Sequence, residues 1–118
     1  MARPSVFRVW HTLYAGNSGR PTVEEFVFSG GNLTAQRKLE LCPGEQSHLG
    51  HLIGDVALSR DAKQLLATDV DEDTVYLVDV DSGKVVRRVA VAPNPYRLLM
   101  HPDGQSFFVT SWSTASVH

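Results

Sequence analysis

The sequence predicts an all-β fold, and three observations support this prediction. Short β-rich runs follow one another along the 118 residues, and no long stretch keeps the apolar stripe of a helix. Clusters of Gly, Asp, Asn, Ser and Pro separate these runs, as tight turns require. One series of runs and turns also recurs later in the chain. We therefore expect small antiparallel sheets, with little place for helices.

Composition and charge argue against several classes of partner. The chain is 42% hydrophobic and 20% charged, which is typical of a globular domain. Its formal net charge of -2 gives no general attraction to nucleic acid or to an anionic membrane, and no apolar run is long enough to span a bilayer. We therefore predict no nucleic-acid partner and no membrane insertion. The single cysteine, Cys42, is expected to be a small, buried, apolar side chain.

The clearest predicted strand is TVYLVDV, which runs from Thr74 to Val80. Val75 and Leu77 share one face of this strand, and Tyr76 and Val78 on the other face are also apolar, so both faces should be covered. The turn that follows ends in a glycine, Gly83, which can take a positive φ. Three further segments are predicted turns: FSGGNL (28–33), RDAK (60–63) and PDGQ (102–105), where Pro102 presets φ and Gly104 relieves the turn.

The repeat becomes visible when the chain is shifted along itself by forty-two residues. Apolar residues then fall on apolar ones, as with Leu58 on Met100, Leu65 on Phe107 and Val75 on Val117. A looser copy lies upstream, where Leu13 falls on Leu65 and, after a slip of two residues, Leu39 falls on Val89. A period of about 40 residues with four short strands is typical of a β-propeller blade. An immunoglobulin-like sandwich would not repeat its hairpins at a fixed offset.

The repeat divides the chain into blades of unequal length. We predict a partial propeller over residues 1–118, with blade 1 at about 5–43, a loop insertion at 44–53, blade 2 at about 54–93 and a partial blade 3 at about 94–118. Propellers close a ring of about four to eight blades, because each blade buries its faces against two neighbours. We therefore expect an incomplete ring, a fragment of a seven-bladed propeller. The alternative is a short chain that completes the ring by oligomerising.

Two segments resemble the repeat of a known family. "SRDAKQLLATDVDEDTVYLVDVDSGKVV" and "HPDGQSFFVTSWSTASV" are similar to the YVTN-type β-propellers, whose blades carry the pattern "sPDGk.lyVtn...ntVsViD..tgkvv". The resemblance covers most of the chain from Leu13 onward, although Arg60 stands in place of the proline and Ala62 in place of a glycine. It implies kinship with bacterial propellers that are sometimes joined to a phosphoesterase domain. It also implies an exported or periplasmic protein, whereas the N-terminal sequence lacks the apolar core of a signal peptide.

The predicted topology brings candidate ligand-facing residues to one face. In a propeller, the connection between blades and the loop between the second and third strands lie at the same end. The residues that this rule places there are Asp55, Asp69, Tyr96, Arg97 and Trp112. Asp55 and Arg97 are equivalent under the forty-two-residue shift, and we predict an ion pair between them across the blade junction. In the alternative interpretation, Arg97 faces a ligand beside the aromatic Tyr96.

Other chemical motifs are incomplete, and we predict no metal and no cofactor. Asp69, Asp71 and Asp73 have the spacing of a calcium loop, but the glycine and glutamate of that motif are missing, so we expect an exposed acidic loop. His48 and His51 lack a third zinc ligand. A general-base role for His101 is less favoured than a turn hydrogen bond, because its equivalent in the preceding blade is a serine. No GxSxG nucleophile motif occurs.

Two function classes follow from the sequence. The first is a non-enzymatic propeller that binds or scaffolds a partner, either a protein or a surface polymer, with further blades of the same protein beside it. The second is part of a lactonase-like propeller hydrolase that acts on a sugar lactone, with polar residues around the central channel. The missing catalytic motifs and the family resemblance favour the first class.

Overall fold

The computed structural model of the protein contains three antiparallel β-sheets. It describes residues 12–17, 19–42, 51–103, 105–111 and 116–117. The first sheet has the order β1-β2-β3, the second β4-β5-β6-β7 and the third β8-β9-β10. The strands are β1 Thr12–Gly16, β2 Thr22–Ser29, β3 Asn32–Glu40, β4 Ile53–Leu58, β5 Gln64–Asp69, β6 Thr74–Asp79, β7 Lys84–Ala90, β8 Pro95–Met100, β9 Phe107–Ser111 and β10 Ser116–Val117. Within the described ranges, no helix has the length and apolar character needed to cross a membrane.

The strand bounds confirm the internal repeat. β4 and β6 begin at Ile53 and Thr74, and β8 and β10 begin forty-two residues later, at Pro95 and Ser116. The slip of two residues upstream lies in the β2–β3 hairpin, which is longer than the β6–β7 hairpin. The all-β fold of small antiparallel sheets is therefore confirmed, and the second sheet has the four strands predicted for one blade. The blade boundaries proposed from the sequence stay predictions, because several of them fall outside the described residues.

The second sheet is covered on both faces, as the apolar residues of β6 predict. One face packs on the first sheet through a cluster of buried side chains that includes Leu39, Leu65 and Tyr76. The other face packs on the third sheet through Val75 and Val109, together with Leu66. The side chains alternate because successive strand residues point to opposite faces. The three sheets therefore lie side by side in chain order, and the second is the middle layer.

Turn geometry agrees with the glycine positions in the sequence. Gly83 has a φ of 73°, and Gly30 and Gly31 in the β2–β3 turn have φ values of 59° and 81°. Ala62, where the repeat pattern has glycine, also takes a positive φ of 61°. A β-carbon is strained in this region, so Ala62 destabilises its turn relative to glycine. Gly104 lies outside the described residues.

Candidate functional site

The loops expected at one end of the molecule lie at that end. The amide of Asn94, in the connection between β7 and β8, donates to Asp73 Oδ1 at 2.8 Å. The amide of Val91 donates to the carbonyl of Asp73 at 3.0 Å, which ties the same connection to the β5–β6 turn. We call this end the top face; it contains residues 70–73 and 91–94 and the first residues of β4 and β8. Trp112, the predicted aromatic of the next loop, lies outside the described residues.

Tyr96 and Arg97 form a cation–aromatic pair at the top face. The guanidinium carbon of Arg97 lies 5.6 Å from the centroid of the Tyr96 ring, within the range of a cation–π contact. Arg97 is exposed and Tyr96 is half-buried. The Tyr96 ring lies against Gly54 of β4, where a β-carbon would come within 2.7 Å of Tyr96 Cδ1. The absence of a side chain at Gly54 therefore makes room for the ring.

The predicted ion pair between Asp55 and Arg97 is wrong. Asp55 Oδ1 accepts a hydrogen bond from the amide of Val56 at 2.9 Å, and Oδ2 accepts one from the amide of Leu98 at 2.8 Å. The β8–β9 register is irregular between Pro95 and Leu98, so the ladder is interrupted where the carboxylate binds. Asp55 does cross the junction between the second and third sheets, but it binds the backbone rather than the guanidinium.

Two threonines fix the same segment of backbone. The hydroxyl of Thr68 accepts from the amide of Asp55 at 3.0 Å and donates to the carbonyl of Tyr96 at 2.8 Å. The hydroxyl of Thr110, the equivalent residue in the third sheet, accepts from the amide of Arg97 at 3.1 Å. Three successive residues, 96 to 98, are thus held through their backbone groups by side chains. The Arg97 guanidinium is exposed on this anchored backbone.

Asp69 is fully buried, so it is not part of an exposed acidic loop as predicted. Its Oδ2 accepts from His51 Nδ1 at 2.7 Å and from the Tyr76 hydroxyl at 3.2 Å, and its Oδ1 accepts from the amide of Leu52 at 3.2 Å. Cys42 Sγ lies 3.1 Å from the same hydroxyl. We call His51, Asp69, Tyr76 and Cys42 the buried network. Cys42 is buried as predicted, with a polar neighbour that the sequence did not suggest.

The buried network also changes the ionisation of its tyrosine. Burial raises the pKa of the Tyr76 phenol well above its usual value, and the contacts with Cys42 and the Asp69 carboxylate raise it further. The phenol therefore stays protonated and serves as a hydrogen-bond donor to the carboxylate. The network is a structural element of the interior, because its members are almost completely shielded from solvent.

The three aspartates with the spacing of a calcium loop lie in three different environments. Asp69 points into the interior, Asp73 accepts the Asn94 amide, and Asp71 is exposed. Within the described ranges, no group of three or more potential ligands is arranged to hold a metal ion. His51 is bound to Asp69, and His48 lies outside the described residues.

His101 has the turn role predicted for it. Its Nδ1 accepts from the amide of Asp103 at 3.0 Å, inside the β8–β9 turn. The equivalent Ser59 accepts from the amide of Gln64 at 3.0 Å in the β4–β5 turn. Both side chains therefore close a turn at the end opposite the top face.

Sequence reasoning missed the bond between His51 and Asp69. The forty-two-residue shift places these residues on Pro93 and Ser111, where the Ser111 hydroxyl donates to the carbonyl of Pro93. The contact is thus conserved between the two blades in position but not in chemistry. The only sign of this bond in the sequence was a histidine just before β4 and an acid at the end of β5.

Solved structures similar to this chain include a β-propeller domain and two lactonase-related proteins. A 6-phosphogluconolactonase-like protein of Bacteroides fragilis is 23% identical with a TM-score of 0.73, covering 91% of this chain and 30% of that one. The β-propeller domain of Cps50 (Swd1) from Myceliophteria thermophila is 13% identical with a TM-score of 0.71, covering 86% and 32%. The periplasmic gluconolactonase PpgL of Pseudomonas aeruginosa is 24% identical with a TM-score of 0.66, covering 82% and 28%.

The chain thus spans about a third of the length of these structures. No protein-family profile matches the sequence. No curated protein matches it either. At these identities the likeness establishes the propeller fold, and it includes both lactonase-like proteins and a protein of another kind.

Proposed function

We propose that this chain is a β-propeller binding module that recognises an anionic group on a partner protein or surface polymer through its top face. The observation that carries the proposal is the exposed guanidinium of Arg97 over the Tyr96 ring, on a backbone held by Asp55, Thr68 and Thr110. Arginine beside an aromatic ring is typical of binding hot spots. A fixed backbone reduces the entropy lost when a ligand binds.

The carboxylates near this pair support binding rather than catalysis. Asp55 accepts two backbone amides, and Asp69 is enclosed in the buried network. Neither carboxylate is positioned to exchange a proton with a molecule bound to Arg97, because each already accepts hydrogen bonds from groups of the protein itself. Trp112 is proposed as a further aromatic contact, on the basis of its place in the repeat. Membership of the YVTN-type family belongs to the same proposal, supported by the repeat spacing.

In a second candidate function, this chain contributes residues to a lactonase-like site that acts on a sugar lactone. The likeness to a gluconolactonase and to a 6-phosphogluconolactonase-like protein favours it. In that case Arg97 would bind the anionic or carbonyl oxygen of the substrate, and an exposed acid such as Asp71 or Glu72 would have to act as the base.

The experiment measures binding of polygalacturonate, a carboxylated polysaccharide, to the full 118-residue chain and to variants. We expect Arg97→Ala to weaken binding about tenfold, and Arg97→Lys to recover only part of the loss, because lysine lacks the planar face. Arg60→Ala, which removes an exposed arginine from the β4–β5 turn, is the matched control and should leave binding unchanged. Neutral dextran should not bind.

Two results would overturn this proposal. If Arg97→Ala lowers the free energy of unfolding and leaves polymer affinity unchanged, Arg97 is structural. If the chain hydrolyses glucono-δ-lactone faster than the buffer does, and Arg97→Ala abolishes that rate, the lactonase function is the correct one.

A further inference from the structure

A second open site lies at the outer rim, on strands other than β8, which carries the top-face pair. It is a groove of about 660 Å³ between β3, at the edge of the first sheet, and β7, at the edge of the second. Its lining residues are Lys38, Glu40, Leu41, Lys84, Val85 and Arg88. We call it the outer groove. Its volume is within the range of ligand sites.

The charge of the outer groove is opposite to that of the chain. Its lining contains three cations, Lys38, Lys84 and Arg88, and one acid, Glu40, whereas the whole chain has a net charge of -2. Among the described residues, none of the three cations forms an ion pair with a carboxylate. Positive charge is therefore concentrated at this groove, and in the described part of the chain no carboxylate neutralises it through an ion pair.

Arg37, which precedes Lys38 in the chain, differs from these cations because its charge is paired within the protein. The Arg37 guanidinium is bound by both oxygens of Glu25, with its Nε 3.0 Å from Oε1, and it also donates to the carbonyl of Val80. Burial opposes ionisation of Glu25, but hydrogen bonds from Arg37 and Tyr14 outweigh it and hold the pKa of that carboxyl below its usual value. Arg37 therefore joins the first two sheets and is not available to a ligand.

The floor and edge of the groove suit an extended chain. Val85 is half-buried and gives the groove an apolar floor, under which Leu41 is buried, and Gly83 at its end has no side chain to fill it. Arg88 lies with its guanidinium carbon 5.5 Å from the centroid of the Tyr76 ring, which limits the positions that its charge can take. β7 is an edge strand in the described sheet, and an edge strand can accept a further strand through its backbone groups.

We propose that the outer groove binds an extended acidic peptide segment. The segment would lie along the edge of β7, with carboxylates on Lys38, Lys84 and Arg88 and an apolar side chain on Val85. Charge complementarity selects this occupant, because the lining combines three cations that form no ion pair among the described residues with an apolar floor. The site is independent of the top face.

The experiment uses a fluorescein-labelled peptide of alternating glutamate and valine and measures its anisotropy with the full 118-residue chain. Lys84→Glu reverses a charge inside the groove, and we expect it to weaken binding about tenfold. Arg87→Glu makes the same charge change on the same strand, but Arg87 pairs with Leu77 and does not line the groove. We expect less than about a twofold effect from this control. Glu40→Gln should strengthen binding.

Further readouts decide between occupants. Arg60→Ala, which removes an exposed arginine outside the outer groove, should leave peptide affinity unchanged. Peptide binding is judged by its dependence on Lys84 and polymer binding by its dependence on Arg97, so failure here is distinct from failure of the proposed function. The proposal is overturned if Lys84→Glu and Arg87→Glu weaken binding equally, since net charge alone would then explain it. It is also overturned if a peptide of alternating lysine and valine binds as well, or if sedimentation shows that a second copy occupies the groove and Lys84→Glu releases it. Should Lys84→Glu fail to fold, unchanged affinity in Glu40→Gln overturns the proposal.

Discussion

In the connection that leads into the second sheet, a buried carboxylate binds two side chains and one backbone amide, whereas at the junction of the second and third sheets the side chains bind backbone groups. In the first, His51 and Tyr76 donate to the buried carboxylate of Asp69. In the second, Asp55 accepts the Leu98 amide and Thr68 donates to the Tyr96 carbonyl. We call these two regions the first junction and the second junction.

The difference comes from residues that occupy equivalent places in the repeat. Asp69 ends β5 at the position where Ser111 ends β9, and His51 precedes β4 where Pro93 precedes β8. A buried carboxylate needs several donors, which the first junction supplies from His51, Leu52 and Tyr76. A serine hydroxyl needs one acceptor, and the Pro93 carbonyl provides it. The same backbone therefore accommodates two polar arrangements that differ in how many hydrogen bonds the buried group requires.

This contrast also explains where a ligand site is available. The first junction uses its polar side chains internally, and they are almost completely shielded from solvent. The second junction is held through backbone groups, and the Arg97 side chain is exposed beside it. Repeat proteins can thus keep one blade geometry and vary which positions face a partner.

The largest expected effect tests whether losing the polar group of the first junction lowers stability more than losing that of the second. Asp69→Ala leaves His51, Leu52 and Tyr76 without their buried acceptor, and we expect a loss of about 3 kcal/mol in the free energy of unfolding. The equivalent Ser111→Ala removes one hydroxyl and should cost about 1 kcal/mol. Urea unfolding of both variants gives the comparison. Equal losses would show that the two junctions do not differ in the way described.

A smaller effect is expected from closing the space under the Tyr96 ring. Gly54→Ala places a methyl group against Tyr96 and Val70, and we expect a loss of about 1 to 3 kcal/mol from this overpacking. It should also weaken top-face binding, because the ring that supports Arg97 must move.

Gly16→Ala is the matched variant at the first junction, where the new methyl group would meet Ile53. It should lower stability and leave top-face binding unchanged once the protein is folded. Thermal unfolding and polymer binding measured on both variants separate these outcomes. Unchanged binding in Gly54→Ala would remove the link between Gly54 and the ligand site.

The smallest effect is a gain in stability at the β4–β5 turn. Ala62 takes a positive φ, and with Tyr14 and Val80 it lines a cavity of about 300 Å³ at the first junction. Ala62→Gly should raise the free energy of unfolding by about 1 kcal/mol, because glycine relieves the left-handed conformation. Ala57→Gly, in the interior of β4, is the control and should lower it. Both values come from urea unfolding, and a loss in Ala62→Gly would contradict the argument from φ.

The fold was more predictable than the candidate site. Alternating apolar residues in β6 correctly indicated two buried faces, and the repeat offset correctly placed the strands of the third sheet. The turn roles of Gly83 and His101 also followed from local sequence. For the site, the ligand-facing role of Tyr96 and Arg97 stays a prediction, and the sequence analysis assigned Asp55 the wrong partner and Asp69 the wrong environment.

The sequence by itself determined the strands, their order in each sheet and the turns between them, because these depend on side-chain alternation and on φ preferences over a few residues. Only the tertiary structure decided which polar groups meet between sheets. Asp55 binds the Leu98 amide, forty-three positions later, and Asp69 meets His51, eighteen positions earlier. Such pairs depend on a bulge and on the packing of whole sheets, to within the length of a hydrogen bond. No local pattern in the chain specifies that distance.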